Sequence, residues 1–337
     1  MTKKERVKLA LAHQNTDFAP YNIELTSAAM KNFTEKYGEP KEGFFQFAGN
    51  HIEKISYKDG EYIKHGYFRD EYGVVWNRNA GDDIGVVAEY LLKKPDLEGF
   101  AFPSIDAATI HQRTKSVLDN GNDTFKLVKI GILLFERAWS LRGMENLLMD
   151  FYLNEAFVEE LLSSITEYNA AIINEALKYD VDGFYFGDDY GQQSSLIMDP
   201  QVWRQFLKPQ LKRTFAPIKA QGLPVFLHSC GNISDILDDL IEIGLDCYQT
   251  VQPEIYDLRL LKQQFGSKLT FYGAISAQRF LPFASPFAVQ EKLRETIDIL
   301  GENGGYICAP THQVPEDVPP ENCMSMIDFF FKNIINT

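Results

Sequence analysis

His228 and Cys230 stand two positions apart in the run PVFLHSCGN (224–232), and imidazole and thiolate are among the donors that zinc takes up. Strand side chains alternate between faces, so this pair projects to one side at the end of a strand. Gly231 permits a sharp turn directly afterwards, and Asn232 or Ser234 can cap a following helix. Read alone, the pair is more often a satisfied core histidine beside a buried thiol than a metal site. A third donor alters that balance, because a catalytic zinc needs about three protein ligands and one open position. The closing run GYICAPTHQVP (305–315) offers Cys308 and His312, roughly 13 Å apart at ~3.3 Å per strand residue. Only one of them reaches the strand's end, and position favours His312. Cys308, Cys247 and Cys323 then read as core thiols.

A second constellation is FYFGDDYGQQ (184–193), where two carboxylates follow an aromatic run. Adjacent strand residues face opposite ways, so one of Asp188 and Asp189 is expected to point at the pocket in a catalytic part, as proton acceptor or as an orienter of the ligands; the alternative is that one caps the loop before the helix near Asp199. Glu24, Glu136, Arg137, Tyr190 and Gln249 also lie at the ends of apolar runs and are expected to line a substrate pocket, with Arg137 as the internal partner of the acids. His13, His51, His65 and His111 read as solvated.

The elements that must hold these groups are short, nearly continuous apolar runs at 127–134, 182–189, 224–231, 246–251, 269–276 and 305–312, plus PYNIEL at 20–25. Such runs suit strands buried on both faces. They alternate with amphipathic stretches such as NEAFVEELLSSITEYNAAIINEALKY, which is the pattern of parallel βα units. The fold class is therefore α/β, a (β/α)8 (TIM) barrel in regular or distorted form. Seven strands are evident, so either IGVVAEY (84–90) supplies the eighth or the barrel is distorted. No G-x-G-x-x-G turn supports a dinucleotide-binding sheet. Residues 30–125, with a hairpin expected in RDEYGVVWNR, read as an N-terminal insertion packed on a single barrel domain spanning 1–337.

A chain of 337 residues with 45% apolar and 13% aromatic residues is ample for a large core. The net charge of −14 repels phosphate backbones and anionic lipid, so neither nucleic acid nor membrane is an expected partner. The N-terminal MTKKERVKLALAHQ carries no targeting pattern, and no apolar run is long enough to span a bilayer, so a cytoplasmic location is expected. Tyr67, Phe68 and Trp76 would serve either a local core or a homodimer surface.

Three stretches, FGDDYGQQSSLIMDPQVWRQFLKPQLKR, PVFLHSCGNI and GGYICAPTHQVPEDVPPEN, resemble the uroporphyrinogen decarboxylase superfamily, as does ERAWSLRGMENLLMDFYLNEAFVEELL. The resemblance covers roughly residues 125–330 and implies a (β/α)8 barrel with its site at the C-terminal mouth. Decarboxylases of this kind carry an arginine-rich motif near M-R-Q-A-G-R after the first strand. Here that place reads IELTSAAMKNF, without arginine, and an acidic tetrapyrrole would be left with unpaired carboxylates. The other branch is similar to cobalamin-linked methyltransferases, in which His-x-Cys and a last-strand ligand hold zinc. That branch implies His228, Cys230 and His312 as ligands, methylcobalamin on a corrinoid partner protein as co-substrate, and a small-molecule thiol or folate acceptor. Its last ligand is usually a cysteine in P-x-C, whereas this chain has Pro310-Thr311-His312. The change gives the zinc site a formal +1 instead of zero. Uroporphyrinogen decarboxylation and a non-catalytic corrinoid-binding module are the alternatives.

Overall fold

The structure, a computed structural model, describes residues 1–57, 59–79 and 85–335. Its strands in chain order are β1 (Ile52–Ser56), β2 (Gly60–Lys64), β3 (Tyr67–Asp70), β4 (Val75–Asn77), β5 (Val86–Glu89), β6 (Phe125–Ile130), β7 (Gly183–Gly187), β8 (Val225–His228), β9 (Cys247–Val251), β10 (Thr270–Ile275) and β11 (Tyr306–Pro310). One sheet runs β1-β6-β7-β8-β9-β10-β11 and a separate one runs β2-β3-β4-β5. In the long sheet β6 and β7, β7 and β8, β9 and β10, and β10 and β11 pair in parallel, and the pairs of the short sheet are antiparallel.

The chain forms two compact units. The first comprises Met1–Glu53, Gly121–Lys126 and Asp246–Thr337. It contains β9, β10 and β11, with buried Leu269, Phe271, Ile275 and Ile307 among the core residues. PYNIEL also lies here, without forming a regular strand. Tyr21 bridges Cys308 and Leu25 bridges Val314, while the His51 N–H donates to the Tyr21 carbonyl at 3.1 Å. Side chains replace the missing ladder bonds. Asn50 Oδ1 accepts from the Ile23 N–H at 2.7 Å, its Nδ2 donates to the Ile23 carbonyl at 2.8 Å, and Asn22 Oδ1 accepts from the Ile52 N–H. Residues 21–25 are thus hydrogen-bonded both to the β11 stretch and to the residues that open β1. Eight segments follow one another in hydrogen-bonding order, seven as regular strands and one through bridges.

The eighth segment is not IGVVAEY. Val86–Glu89 of that run form β5 and pair antiparallel with β4, and Ile84 lies outside the described residues. The additional strand of the long sheet is β1, which falls inside the stretch read as an insertion. Its sequence IEKIS lacks the continuous apolar run that marks the other strands.

The second unit comprises Lys54–Asn120 and Leu127–Leu245. Phe186 of β7 stacks on Phe215 of the helix Lys208–Ala220 with centroids 5.5 Å apart, which fixes the helix-covered face of that strand. The long helix Glu155–Ala176 buries Phe157, Leu161, Leu162, Ile165 and Ile173 at the helical period. The expected hairpin forms from β3 and β4, with Gly73 at φ +86° in its turn. Asp70, at 4% exposure, anchors that turn by accepting from the Tyr72 and Val74 N–H groups and from Trp76 Nε1.

His51 corrects the expectation of a solvated ring. It is 1% exposed, and its ring centroid lies 4.6 Å from that of Tyr21. Burial, reinforced by Arg6 and Lys3, pushes its pKa down from 6.5 to about 3. The unfolded chain therefore binds the extra proton between those values, and the associated stability, complete above pH 6.5, is lost as pH falls toward about 3. Urea midpoints measured from about pH 7 to about pH 4 are expected to fall less steeply for His51→Phe than for the wild type. Parallel curves would overturn this account.

Candidate metal centre

β7 and β8 are parallel neighbours in which Gly187 pairs with His228. The Asp188 N–H donates to the His228 carbonyl at 3.0 Å. His228 closes β8, and its Nε2 lies 3.4 Å from Cys230 Sγ and 3.5 Å from Asp189 Oδ1. The same Asp189 oxygen accepts from the Cys230 N–H at 2.8 Å. Strand pairing therefore places an imidazole, a thiol and a carboxylate together, and Asp189 holds the cysteine's backbone as well as facing the histidine ring.

The turn after Cys230 depends on two glycines. Gly231 sits at φ +78°, and a Cβ there would overlap the Gly191 backbone. Reciprocally, a Cβ on Gly191 would come within 2.6 Å of the Gly231 carbonyl carbon. Gly191 N donates to the Cys230 carbonyl at 3.2 Å, and Asn232 N donates to the Gln192 carbonyl at 2.7 Å. The loops after β7 and β8 are thus laced by their main chains at a separation that only glycine allows.

Asp188 is fully buried and differs from its neighbour in every contact. Its carboxylate accepts from the N–H groups of Leu134, Phe135 and Glu136 at 3.2, 2.9 and 2.7 Å and from the Tyr190 hydroxyl at 2.6 Å. These amides open the helix Phe135–Arg142, so the carboxylate occupies a helix N-terminus. Burial pushes its pKa up to about 6, against the Tyr190 hydrogen bond and the backbone donors. With four donors and no solvent contact, Asp188 holds the loop, so of the two carboxylates Asp189 is the one that faces the His228 ring. The helix near Asp199 is capped by Asp199 itself, which accepts from the Gln201 N–H.

Tyr190 and Arg137 are corrections to the expected pocket lining. Tyr190 is 0% exposed, donates its hydroxyl to Asp188 and gives its N–H to Ser229 Oγ at 3.0 Å. It supports the loop that presents Cys230 and is out of a substrate's reach. Arg137, 2% exposed, donates to Asp70 at 2.6 Å and Glu71 at 3.0 Å with its guanidinium 4.1 Å from the Tyr72 ring centroid. The hairpin has taken the cation expected to pair with the pocket acids. Glu136 is half-buried, and its negative charge reaches Cys230. Burial pushes the Cys230 thiol well up, and the neighbouring Asp189 and Glu136 carboxylates raise it further. Ser229 and Gly191 were missed in the sequence; the signal for Gly191 was its place directly after the DDY run.

The first unit holds the remaining candidates. His312 lies two residues beyond β11 and is half-buried. The stretch before it is tied down: the Thr311 carbonyl accepts from Gln249 Nε2 at 3.1 Å and from Thr250 Oγ1, and Thr311 Oγ1 accepts from the Ala277 N–H at 3.1 Å. Gln249, 7% exposed, donates its amide to this carbonyl and so helps to hold the loop that carries His312. Glu24 is half-buried and accepts from Asn22 Nδ2 at 2.7 Å. Cys308 is a buried core thiol as expected, its pKa pushed up to about 12 by burial.

The methylcobamide:CoM methyltransferase MtaA of Methanosarcina barkeri is 25% identical over 169 residues, covering 50% of this chain and 47% of that protein. A methylated-thiol–coenzyme M methyltransferase of Methanosarcina mazei is 23% identical over 171 residues, covering 50% and 44%. The chain thus spans about half the length of the curated relatives it matches. Among solved structures, a methyltransferase from Methanosarcina mazei superposes with a TM-score of 0.75 at 18% identity, covering 98% of this chain and 99% of that one, which shows a shared fold. A B12-independent methionine synthase from Shewanella superposes with a TM-score of 0.50 at 10% identity over 96% of this chain and 99% of that one. No helix among the described residues is long and apolar enough to cross a membrane. The sequence profile of the uroporphyrinogen decarboxylase (URO-D) family matches residues 135–332, which hold the His228, Cys230 and Asp188 network and make up more than half of the chain. The protein belongs to the uroporphyrinogen decarboxylase family.

Proposed function

We propose that the protein is a zinc-dependent methyltransferase that moves a methyl group between a corrinoid carried on a separate protein and a thiol or folate acceptor. The observation that carries this reading is the donor pair at the end of β8, where His228 Nε2 lies 3.4 Å from Cys230 Sγ; His312, half-buried beyond β11, is the third donor that the reading assigns. One sulfur and two imidazole nitrogens suit zinc and leave a position for a further ligand. The two curated relatives support the reading, since both are named as methyltransferases of coenzyme M. Bound there, zinc supplies the positive charge that keeps a coordinated thiol deprotonated at neutral pH.

The chain's own groups divide the remaining work. Cys230, its thiol pushed up by burial and by two carboxylates, reads as a ligand and not as a free nucleophile. Asp189 lies 3.5 Å from His228 Nε2, so its charge offsets the formal +1 of a one-thiolate, two-imidazole zinc site. Its partly exposed carboxylate also serves as the acceptor for the proton that an incoming thiol releases. The thiolate sulfur then forms a bond to the methyl carbon while the cobalt–carbon bond breaks, and that electron pair stays on cobalt. Asp188 and Tyr190 keep the loop in register without touching the reactants.

Purified wild-type protein is expected to hold close to one zinc per chain by metal analysis, with His228→Ala, Cys230→Ala and His312→Ala each losing most of it. Stoichiometric zinc in the first two variants would reject the ligand assignment. Asp189→Asn is expected to keep its metal and to slow methyl transfer from methylcobalamin to a thiol by about 10²-fold, the low end for loss of a positioned base. An unchanged rate would remove Asp189 from the proton path.

A further inference from the structure

Two segments of the second unit frame a groove of about 480 Å³ that the chemistry above does not use. Residues 95–98 form one wall, and the first turns of the helix Glu155–Ala176 form the other. Leu97 and Phe157 give the groove apolar surface, while Asp96, Glu98 and Glu160 stand exposed along it. None of the described residues that line it is a cation. Lys93 pairs with Glu89 at 2.6 Å, and Lys94 lies outside the lining.

The two walls are fixed before anything docks. Arg142, 7% exposed, donates Nη1 to the carbonyls of Leu92 and Lys93 at 3.2 and 3.0 Å and Nε to Asp150 at 2.7 Å. Asp150 accepts in turn from Nδ2 of Asn154, the residue directly before the wall helix, at 2.8 Å. One buried guanidinium thus ties the start of one wall to the start of the other. Beyond the first wall, Phe102 packs edge-on against Tyr72, and Tyr72 against Tyr168 of the wall helix, with centroids 6.4 and 5.2 Å apart. The stretch between these anchors is pinned on both sides, so a ligand meets surfaces that lose little freedom on binding.

An apolar helix face leads into the groove. Met149, Tyr152 and Leu153 of the helix Met144–Leu153 are 52%, 65% and 74% exposed, and their spacing of three and four puts them on one side. Only Asn154 separates this helix from the wall helix. Apolar surface left in water and rimmed by polar groups marks a protein contact.

Charge and backbone together select the occupant. In a chain of net charge −14, carboxylates along the groove repel anionic partners and draw a cationic one. Neither wall is a strand, so no sheet edge is offered for main-chain pairing, and recognition falls to side chains as in helix-in-groove binding. We propose that the groove and the Met149–Leu153 face dock a basic amphipathic helix of a partner protein. Its apolar side seats on Leu97, Phe157 and Leu153, and its lysines or arginines meet Asp96, Glu98 and Glu160. The inference stands apart from the metal centre and from the methyltransferase reading.

The probe is a fluorescein-labelled helical peptide of leucine and lysine, about five turns long, with lysine along one face. Its anisotropy is followed on titration with the full chain at physiological salt, beside a control peptide in which serine replaces leucine. The wild type is expected to bind the leucine peptide at least about tenfold more tightly than the serine peptide. Glu98→Lys with Glu160→Lys, and separately Tyr152→Ser with Leu153→Ser, are each expected to lower that affinity about tenfold. Glu39→Lys with Glu42→Lys, the same charge change on exposed acids of the first unit, is expected to leave it unchanged. Equal binding of the two peptides, equal losses from the near and remote charge reversals, or affinity that survives both groove variants would each overturn the proposal. So would a dimer of the free protein that the Tyr152→Ser, Leu153→Ser variant dissolves, because the face would then belong to a second copy.

Discussion

A carboxylate removed from water must have its charge met by protein donors, and Asp188 is the place where that constraint organises the second unit. Its four donors come from three amides at the start of the helix Phe135–Arg142 and from the Tyr190 hydroxyl. The helix start, the β7 loop and the Tyr190 ring are fixed together as a consequence. Tyr190 then gives its amide to Ser229, the residue between the two candidate ligands. Loss of one donor leaves a buried charge less well met, which costs more than the bond itself would suggest. The rigidity of Cys230 therefore originates several residues away from it.

The second constraint is the twofold alternation of strands. Pairing Gly187 with His228 makes one carboxylate of the Asp188-Asp189 pair turn toward the helix and the other toward the ring. The two acids have opposite duties because they are adjacent, and neither could take the other's place without a shift of register. Gly191 and Gly231 complete this arrangement. Their main chains meet at a distance closed to any side chain, so the loops after β7 and β8 are held by backbone hydrogen bonds.

What the sequence made legible follows from these rules. The continuous apolar runs of β6 to β11 and the helix Glu155–Ala176 were readable because burial on both faces or on one stripe writes a period into the chain. β1 was not, since IEKIS carries Glu53 and Lys54 in a strand, and one of those charges faces the same aromatic ring as Lys129. PYNIEL read as a strand but is held by Asn50 and Asn22 side chains, contacts that no local pattern announces. Within the candidate site, the positions of His228 and Cys230 on one face followed from spacing alone. The duties of Tyr190, Arg137 and Gln249 did not, because each is decided by a distant partner: Ser229 for the amide of Tyr190, Asp70 and Glu71 for Arg137, and Thr311 for Gln249.

The family match begins at residue 135 and so includes the candidate ligands while excluding the hairpin acids Asp70 and Glu71. The residues that distinguish this chain's charge pattern therefore lie mostly in its less familiar first third. Asp70 and Glu71 engage Arg137, which leaves the guanidinium unable to meet a substrate anion without breaking a buried pair.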